Sequence, residues 1–328
     1  MTATPTASLQ FQRAVRGLPF EAVYTFGLND DAPPDAAPTY VVVNAEGVTV
    51  TSGTAALTTA APIEASFALT AVELPLRDLF TVTWSYTVST APVAVTSTID
   101  VCDARLFPIS DYAQFNDGPI VNATPDALED ARYDAENYLE RECGCAFTGR
   151  YASELWLLGG HRGAFGTGIG FASIGGGYVR GGGVRNQIEL RMPFVQLIRS
   201  ISRAWVDPDD GTSGVHALNL NYVQLDARTS AIHVRDDPTD QYSGLWGELT
   251  IGYEHGRPLA DVRRICLILA RYRLINGPLE RRAVSVPVEG GGSIALLTPG
   301  QASAVTGIPE VDTFIGRYNA RSDGFLGG

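Results

Sequence analysis

The stretch that decides the fold reads EHGRPLADVRRICLILARYRLING and covers residues 254–277. It predicts a helix that begins at Pro258, because proline fits the first helical turn, where its missing N–H costs nothing. Asp261 suits the positive end of the helix dipole. Asn276-Gly277-Pro278 is a stop signal. Apolar residues repeat at spacings of three and four along one face, and they are Val262, Ile265, Cys266, Leu269 and Ala270.

The segment after this helix is rich in glycine and has few apolar partners close in sequence. We therefore expect residues 284–328 to be a C-terminal docking arm that takes its shape from another protein, with a short helix at 309–318. The residues predicted to dock are Val286, Val288, Ile294, Leu296, Leu297, Ile308, Val311, Phe314, Ile315 and Tyr318.

A second helix is predicted from Thr124 to Gly144, with Thr124 as its cap and Pro125 at its first position. Its apolar stripe consists of Leu128, Ala131, Ala135, Tyr138 and Leu139. On this helix the charged residues are expected to face out, and they are Glu129, Asp130, Arg132, Glu136 and Glu140. On the helix after Pro258, Arg263, Arg264, Arg271 and Arg273 are expected to lie largely off the apolar stripe.

The first hundred residues read as β structure. In Phe80–Val88 apolar and polar residues alternate, as in a strand with one buried face. We predict a flexible lead-in at 1–12 and a small antiparallel, immunoglobulin-like β-sandwich at 13–102. A spacer role for this sandwich is favoured over ligand recognition.

Short strands between residues 151 and 253, together with the two long helices, predict a helical and β core at 103–283. The whole chain is therefore expected to be α+β, with an inserted antiparallel β region between helices.

Composition excludes several functions. The chain has 328 residues, a formal charge of −12 and no lysine, since all 24 basic residues are Arg. A P-loop lysine and a Schiff-base lysine are therefore excluded. A net acidic chain is also a poor candidate for tight nucleic-acid binding. No apolar run approaches membrane-spanning length, and a soluble protein made in the cytoplasm is expected.

Candidates for chemistry are few, and each has a structural alternative. His255 beside Glu254 is the best acid–base pair, although a histidine at such a turn is more often structural. Cys143-Gly-Cys145 lacks a second pair at zinc-site spacing, so buried thiols are expected. The acidic clusters at 207–211 and 236–240 fit turns better than metal sites, and the loop at 159–183 matches no phosphate-binding motif. We predict no catalysis, no cofactor and no metal.

Four segments together resemble the head-to-tail adaptor (connector) proteins of long-tailed double-stranded DNA bacteriophages. Leu128–Phe147 is similar to the family's first helix and the turn after it. Leu249–Leu274 is similar to its strand-to-helix step, Ser285–Pro299 to its arm, and Gly307–Tyr318 to its terminal helix. The sandwich resembles modules that some of these proteins carry, and the loop at 159–183 is longer than the family pattern.

The resemblance implies a virion neck protein that forms a ring of about twelve copies. Its partners would be the portal protein above and a stopper or tail-completion protein below. Double-stranded DNA would pass through without specific binding, and no membrane or reaction would be involved. The residues of the arm would contact the portal or a neighbouring copy. The core helices would use Leu128, Ala131, Tyr138, Leu139, Val262, Ile265 and Leu269.

Two other readings stay open at this stage. One is a different virion or surface protein whose β-sandwich recognises sugar or protein. The other is a hydrolase that uses His255 or an acidic pair.

Overall fold

The computed structural model describes residues 6–27, 31–58, 61–114, 123–158, 187–206, 212–234, 246–276, 285–288, 292–295 and 306–318. The predicted α+β class is confirmed, with several antiparallel sheets and four helices among these residues. The chain forms two compact units. Unit 1 consists of 1–104 and 149–255, and unit 2 consists of 105–148 and 256–328.

The N-terminal part of unit 1 is a sandwich of two sheets. One sheet has the order β1-β8-β7-β3-β4, and the other has the order β2-β6-β5. All their pairings are antiparallel except β1 with β8, which is parallel. The strands are β1 (Thr6–Val15), β2 (Phe20–Thr25), β3 (Thr39–Val43), β4 (Thr49–Thr54), β5 (Ala56–Leu57), β6 (Glu64–Leu69), β7 (Asp78–Val88) and β8 (Ala91–Cys102).

The core of this sandwich is built from strands in which inward apolar residues alternate with outward ones. Along β7 the inward residues Phe80, Val82 and Trp84 are buried, as the sequence pattern predicts. The Trp84 indole N–H donates to Ser97 Oγ on β8 at 2.8 Å, so its one polar group is satisfied inside the core.

The rest of unit 1 contains a four-stranded sheet of order β12-β11-β15-β9 and a three-stranded sheet of order β10-β14-β13. Side chains from both sheets share one core, in which Ile201, Ile232 and Ile251 are buried. The strands are β9 (Arg150–Leu158), β10 (Gln187–Glu189), β11 (Val195–Val206), β12 (Ser213–Ala217), β13 (Val223–Asp226), β14 (Ala231–Val234) and β15 (Trp246–His255).

Unit 2 holds the four helices, and they are α1 (Asp111–Gln114), α2 (Pro125–Cys143), α3 (Val262–Asn276) and α4 (Pro309–Tyr318). Helices α2, α3 and α4 pack against one another. Between α3 and α4 lies a two-stranded hairpin of β16 (Ser285–Val288) and β17 (Gly292–Ala295).

The boundaries of α2 follow the predicted signals. Thr124 caps the helix by accepting the Ala127 N–H at 3.2 Å, and Gly144 ends it in the left-handed conformation with φ +66°. By contrast, α3 begins at Val262, four residues after Pro258, and Asp261 provides the first acceptor carbonyl of the helix. The first turn was therefore predicted too early.

The sequence predicts a lead-in at 1–12, but β1 begins at Thr6 because its backbone pairs with β8 at Thr6 and Ala7 and, after an irregularity, again from Phe11 to Val15. Residues 149–255 group with the N-terminal strands in unit 1. The predicted domains at 13–102, 103–283 and 284–328 concern which segments fold independently, and they stay predictions. The two compact units divide the chain at other positions. In the described ranges, no helix is long and apolar enough to cross a membrane.

Candidate assembly elements

Helix α2 carries two buried carboxylates that hold loops of unit 2 against it. Glu136 is fully buried and accepts the backbone N–H of Leu106 at 2.8 Å and the Arg105 guanidinium at 2.9 Å. One turn later Glu140 accepts the backbone N–H of Phe147 at 3.2 Å. These contacts fix the entry into and the exit from the helical part of unit 2.

The prediction that charged residues of α2 all face solvent is therefore wrong for Glu136 and Glu140. It is also wrong for Arg132, which is buried and donates to the Phe107 carbonyl at 3.0 Å. The three residues are spaced by four, next to the small apolar residues Ala131 and Ala135. A stripe made largely of alanine buries little area, so an i, i+4 row of charged residues beside it is the signal that could have indicated their burial.

Helix α3 is fixed by two arginines that the sequence places off its apolar stripe. Arg271 lies off the stripe and is nevertheless buried, and it donates to the Tyr112 carbonyl at 3.1 Å. Arg263 makes a bidentate pair with Asp111, both contacts at 2.7 Å. The residues of the predicted stripe are all buried, and they are Val262, Ile265, Cys266, Leu269 and Ala270.

The terminal helix α4 is part of the core of unit 2. Val311, Phe314 and Ile315 are buried, and the Phe314 ring lies 5.5 Å from the ring of Phe147. Arg257 lies 5.9 Å over the ring of Tyr318. The expectation that the whole arm takes its shape from another protein thus does not hold for this helix.

A local network fastens the start of α4. The Asp312 carboxylate accepts the Thr306 N–H at 2.7 Å, the Thr306 hydroxyl at 2.8 Å and the Gly307 N–H at 3.0 Å. The chain segment that leads into the helix is therefore folded back on its first turns. Both α3 and α4 belong to one packed unit, so the segment between them is held at its two ends.

The remaining predicted docking residues fall into two groups. Val286, Val288 and Ile294 lie on the hairpin strands β16 and β17, and Ile308 lies half-buried just before α4. Leu296 and Leu297 lie outside the described residues. Of the predicted core helix positions, Ala131 and Leu139 on α2 are buried, whereas Leu128 and Tyr138 are half-buried.

Unit 1 contains an ionic cluster between the sandwich and the four-stranded sheet. The Arg77 guanidinium donates to Asp103 at 2.8 Å, to Glu254 on β15 at 2.6 Å and to Gln196 on β11 at 2.9 Å. Asp103, with Glu254, raises the pKa of Arg77. Nearby, Asp100 pairs with Arg13 and with Arg150 of β9, both at 3.4 Å. The cluster joins strands that are far apart in sequence.

Gly149 makes the closest backbone approach to this cluster. A Cβ at this position would lie 2.3 Å from Asp103 Oδ2 and 2.4 Å from Arg77 Cζ. The Asp103 N–H donates to the Gly149 carbonyl at 3.0 Å, so the backbone itself is part of the junction. No local pattern around Gly149 predicts this requirement.

His255, the best acid–base candidate from sequence, is 4% exposed at the end of β15. Its Nδ1 has no hydrogen-bond partner among the described residues. Burial, together with the nearby charges of Arg150 and Arg77, lowers the pKa of His255 to about 4. The ring is therefore neutral near pH 7 and enclosed in unit 1.

The four cysteines are free and buried. Burial raises the pKa of Cys143 and that of Cys145 to about 12, so both are thiols near pH 7. The described parts of the chain contain no group of three or more metal-ligating side chains. The acidic clusters at 207–211 and 236–240 and the loop at 159–183 lie outside the described residues.

Several solved structures are similar to parts of this chain at low sequence identity. No family model matches the chain, and no curated protein matches it. A structure of CBM51-2 in complex with GlcNAc and INT domains from Clostridium perfringens ZmpB is 13% identical over 30% of this chain, with a TM-score of 0.21. The chain spans only 20% of that structure's length.

A chain from the neck of an empty GTA particle is 14% identical over 56% of this chain and 83% of its own length, with a TM-score of 0.33. A pullulanase complexed with maltotriose, from Anoxybacillus sp. LM18-11, is 10% identical over 75% of this chain and 22% of its own, with a TM-score of 0.19. At TM-scores below 0.5, none of these matches carries an argument about function.

Proposed function

We propose that this chain is a structural virion protein that forms a ring adaptor between the capsid portal and the stopper or tail. In this role it acts as a conduit for DNA and performs no catalysis. Several copies would associate in the ring, and the arm between α3 and α4 would contact the portal or a neighbouring copy.

The observation that carries this proposal is the order of the elements from α2 to α4. The segments that resemble the adaptor family coincide, in order, with α2, with the step from β15 to α3, with the β16–β17 hairpin and with α4. The helices pack into one core through buried side chains such as Leu139, Leu269 and Phe314. Such a core is a rigid base, and the hairpin leaves from it and returns to it.

The hairpin is the element best suited to docking. Its two strands pair with each other, and no third strand joins them among the described residues. An isolated two-stranded hairpin is at best marginally stable in water. Addition of a partner strand would satisfy its free backbone groups. Because α4 is anchored, the docking element is a closed loop between two helices rather than a free tail.

The acidic composition supports passage of DNA without retention. Phosphate contacts dominate the affinity of proteins for nucleic acids, and a chain of charge −12 offers few of them. We expect no binding of the purified protein to duplex DNA at low salt. Tight binding in a filter or mobility assay would contradict a non-retaining conduit.

Replacing residues 285–295 with a Gly/Ser loop of equal length tests the docking role. This change keeps α3 and α4, whereas truncation at Val284 would remove the buried side chains of α4. We expect an unchanged helical melt and loss of co-sedimentation with the portal ring of the particle. Val215→Ser, a change at an exposed strand in unit 1, is the matched control and should leave docking intact. Full docking by the loop-replaced chain would refute the proposal.

A further inference from the structure

The two outer edges of the N-terminal sandwich differ in whether side chains already bond the backbone groups of the edge strand. At one edge, the side chains of β1 reach the backbone of β2 in the opposite sheet. The Gln10 side chain bonds both the N–H and the carbonyl of Thr25, at 2.9 and 2.5 Å, and Gln12 accepts the N–H of Val23 at 3.1 Å. These glutamines occupy backbone groups that an added strand would need.

The opposite edge is formed by β4, the last strand of the five-stranded sheet. Four consecutive residues, Thr51 to Thr54, pair regularly with β3, and in the described part of the chain no strand pairs with their other side. The sequence from 47 to 63 has no charged residue, and no proline falls within β4. Proteins usually protect an exposed edge with such residues. The strand β4 itself carries neither device, although the Glu73 carboxylate lies beside it and bonds the side chain of Thr51.

The β16–β17 hairpin offers a complementary edge. Pro287 lies in β16, and proline cannot donate to a ladder, which confines it to an outer strand. Strand β17, Gly292 to Ala295, contains no proline and no charge, and it has four residues, as does the regular part of β4. Because each copy carries a charge of −12, contact between copies is least opposed where the two pairing strands have no charged residues of their own, as in β4 and β17.

We propose that β17 of one copy adds to the free edge of β4 in a second copy, extending the five-stranded sheet across the contact. The donor and acceptor surfaces differ, so the contact is head-to-tail, the kind that closes a ring. This inference deepens the proposed function by naming the surface on which a neighbouring copy docks, and it rests on that function.

The test is a cross-linking experiment with two chains of different size. One chain carries Ser52→Cys on β4, where the serine is exposed, and the other carries Ser293→Cys on β17. The native cysteines are all buried and react slowly. The chains are mixed and treated with a short bis-maleimide, which tolerates small differences in register. Only a contact between two copies gives a heterodimer, so links within one chain do not contribute.

We expect the heterodimer yield to exceed that of either homodimer by at least about tenfold, because paired strands hold the thiols at millimolar effective concentration. The control replaces Ser52→Cys with Val215→Cys on β12, another uncharged outer strand whose Val215 side chain is 74% exposed. Equal yields in the two mixtures would overturn the inference.

A second measurement does not depend on either cysteine variant. A labelled peptide of residues 290–297 is titrated against the wild-type chain, with a scrambled peptide as control. Saturable binding of the native peptide alone supports the pairing, and equal binding of both peptides contradicts it. Portal co-sedimentation separates the two proposals. If the chain co-sediments with the portal but gives no β17–β4 cross-link, only this inference is refuted. If the cross-link forms but the chain does not co-sediment with the portal, only the adaptor role is refuted.

Discussion

Unit 1 and unit 2 bury charged side chains for different purposes. In unit 1, Arg77 pairs with Asp103 and with Glu254, so charges meet charges between strands distant in sequence. In unit 2, Glu136 and Glu140 accept backbone N–H groups from the loops beside α2. Loss of one partner in unit 1 leaves Arg77 another, whereas loss of a carboxylate in unit 2 leaves a buried N–H unsatisfied.

The two units can be followed separately in one sample. All four tryptophans, at positions 84, 156, 205 and 246, belong to unit 1, and α2, α3 and α4 belong to unit 2. Tryptophan fluorescence therefore reports the unfolding of unit 1. Helical circular dichroism at 222 nm reports mainly the unfolding of unit 2.

The largest effect is expected from Leu269→Asp, which places a charge without a partner in the core of unit 2. We expect a loss of roughly 4 kcal/mol or more in the free energy of unfolding, enough to abolish the helical signal. Ile275→Asp on the same helix, where the side chain is 63% exposed, is the control and should cost little. A native helical melt for Leu269→Asp would mean that the buried face of α3 is misassigned.

The next effect sharpens the contrast between the units. Glu136→Ala removes the acceptor for the Leu106 N–H and the partner of Arg105, so we expect a loss of about 3 kcal/mol at the 222 nm transition. Glu254→Ala leaves Arg77 paired with Asp103 and should cost about 1 kcal/mol at the fluorescence transition. Equal losses of unfolding free energy in urea titrations of the two variants would contradict the difference between the two units.

A smaller effect is expected at Gly149, where a Cβ would collide with Asp103 and Arg77. Gly149→Ala should lower the stability of unit 1 by about 2 kcal/mol, because both colliding side chains are held in the ionic cluster. Gly316→Ala on α4 meets no atom within 4 Å and should stabilise the helix by about 0.5–1 kcal/mol. Urea titration measures the free energy of unfolding of both variants. An unchanged fluorescence midpoint for Gly149→Ala would show that Asp103 and Arg77 can move aside without loss of stability.

The smallest effect concerns pH. The pKa of His255 is about 4 in the folded protein and about 6.5 unfolded, so the unfolded state binds the proton more readily. Stability from this group is present above pH 6.5 and is lost as the pH falls towards 4. We expect about 1 kcal/mol less stability for unit 1 at pH 5.5 than at pH 8. His255→Gln should remove this part of the pH dependence, and an unchanged dependence in the variant would contradict the assignment.

The sequence predicted the elements that have strong local signals. The caps Thr124 and Gly144, the apolar stripe of α3 and the bounds of α4 at 309–318 were all readable, because capping and periodicity are local properties. The Arg77 cluster was not readable, since its partners are separated by 26 and 177 residues. The burial of Val311 and Phe314 was also missed, because packing of a terminal helix depends on where the chain returns.

The most direct test of our central claim is hydrogen–deuterium exchange on the chain alone and on the chain bound to the portal ring. We predict that α4, Pro309 to Tyr318, is protected in both states and that the hairpin at 285–295 gains protection only on docking. An α4 that exchanges freely until the portal is bound, with a hairpin whose exchange does not change, would contradict an anchored helix and a docking hairpin.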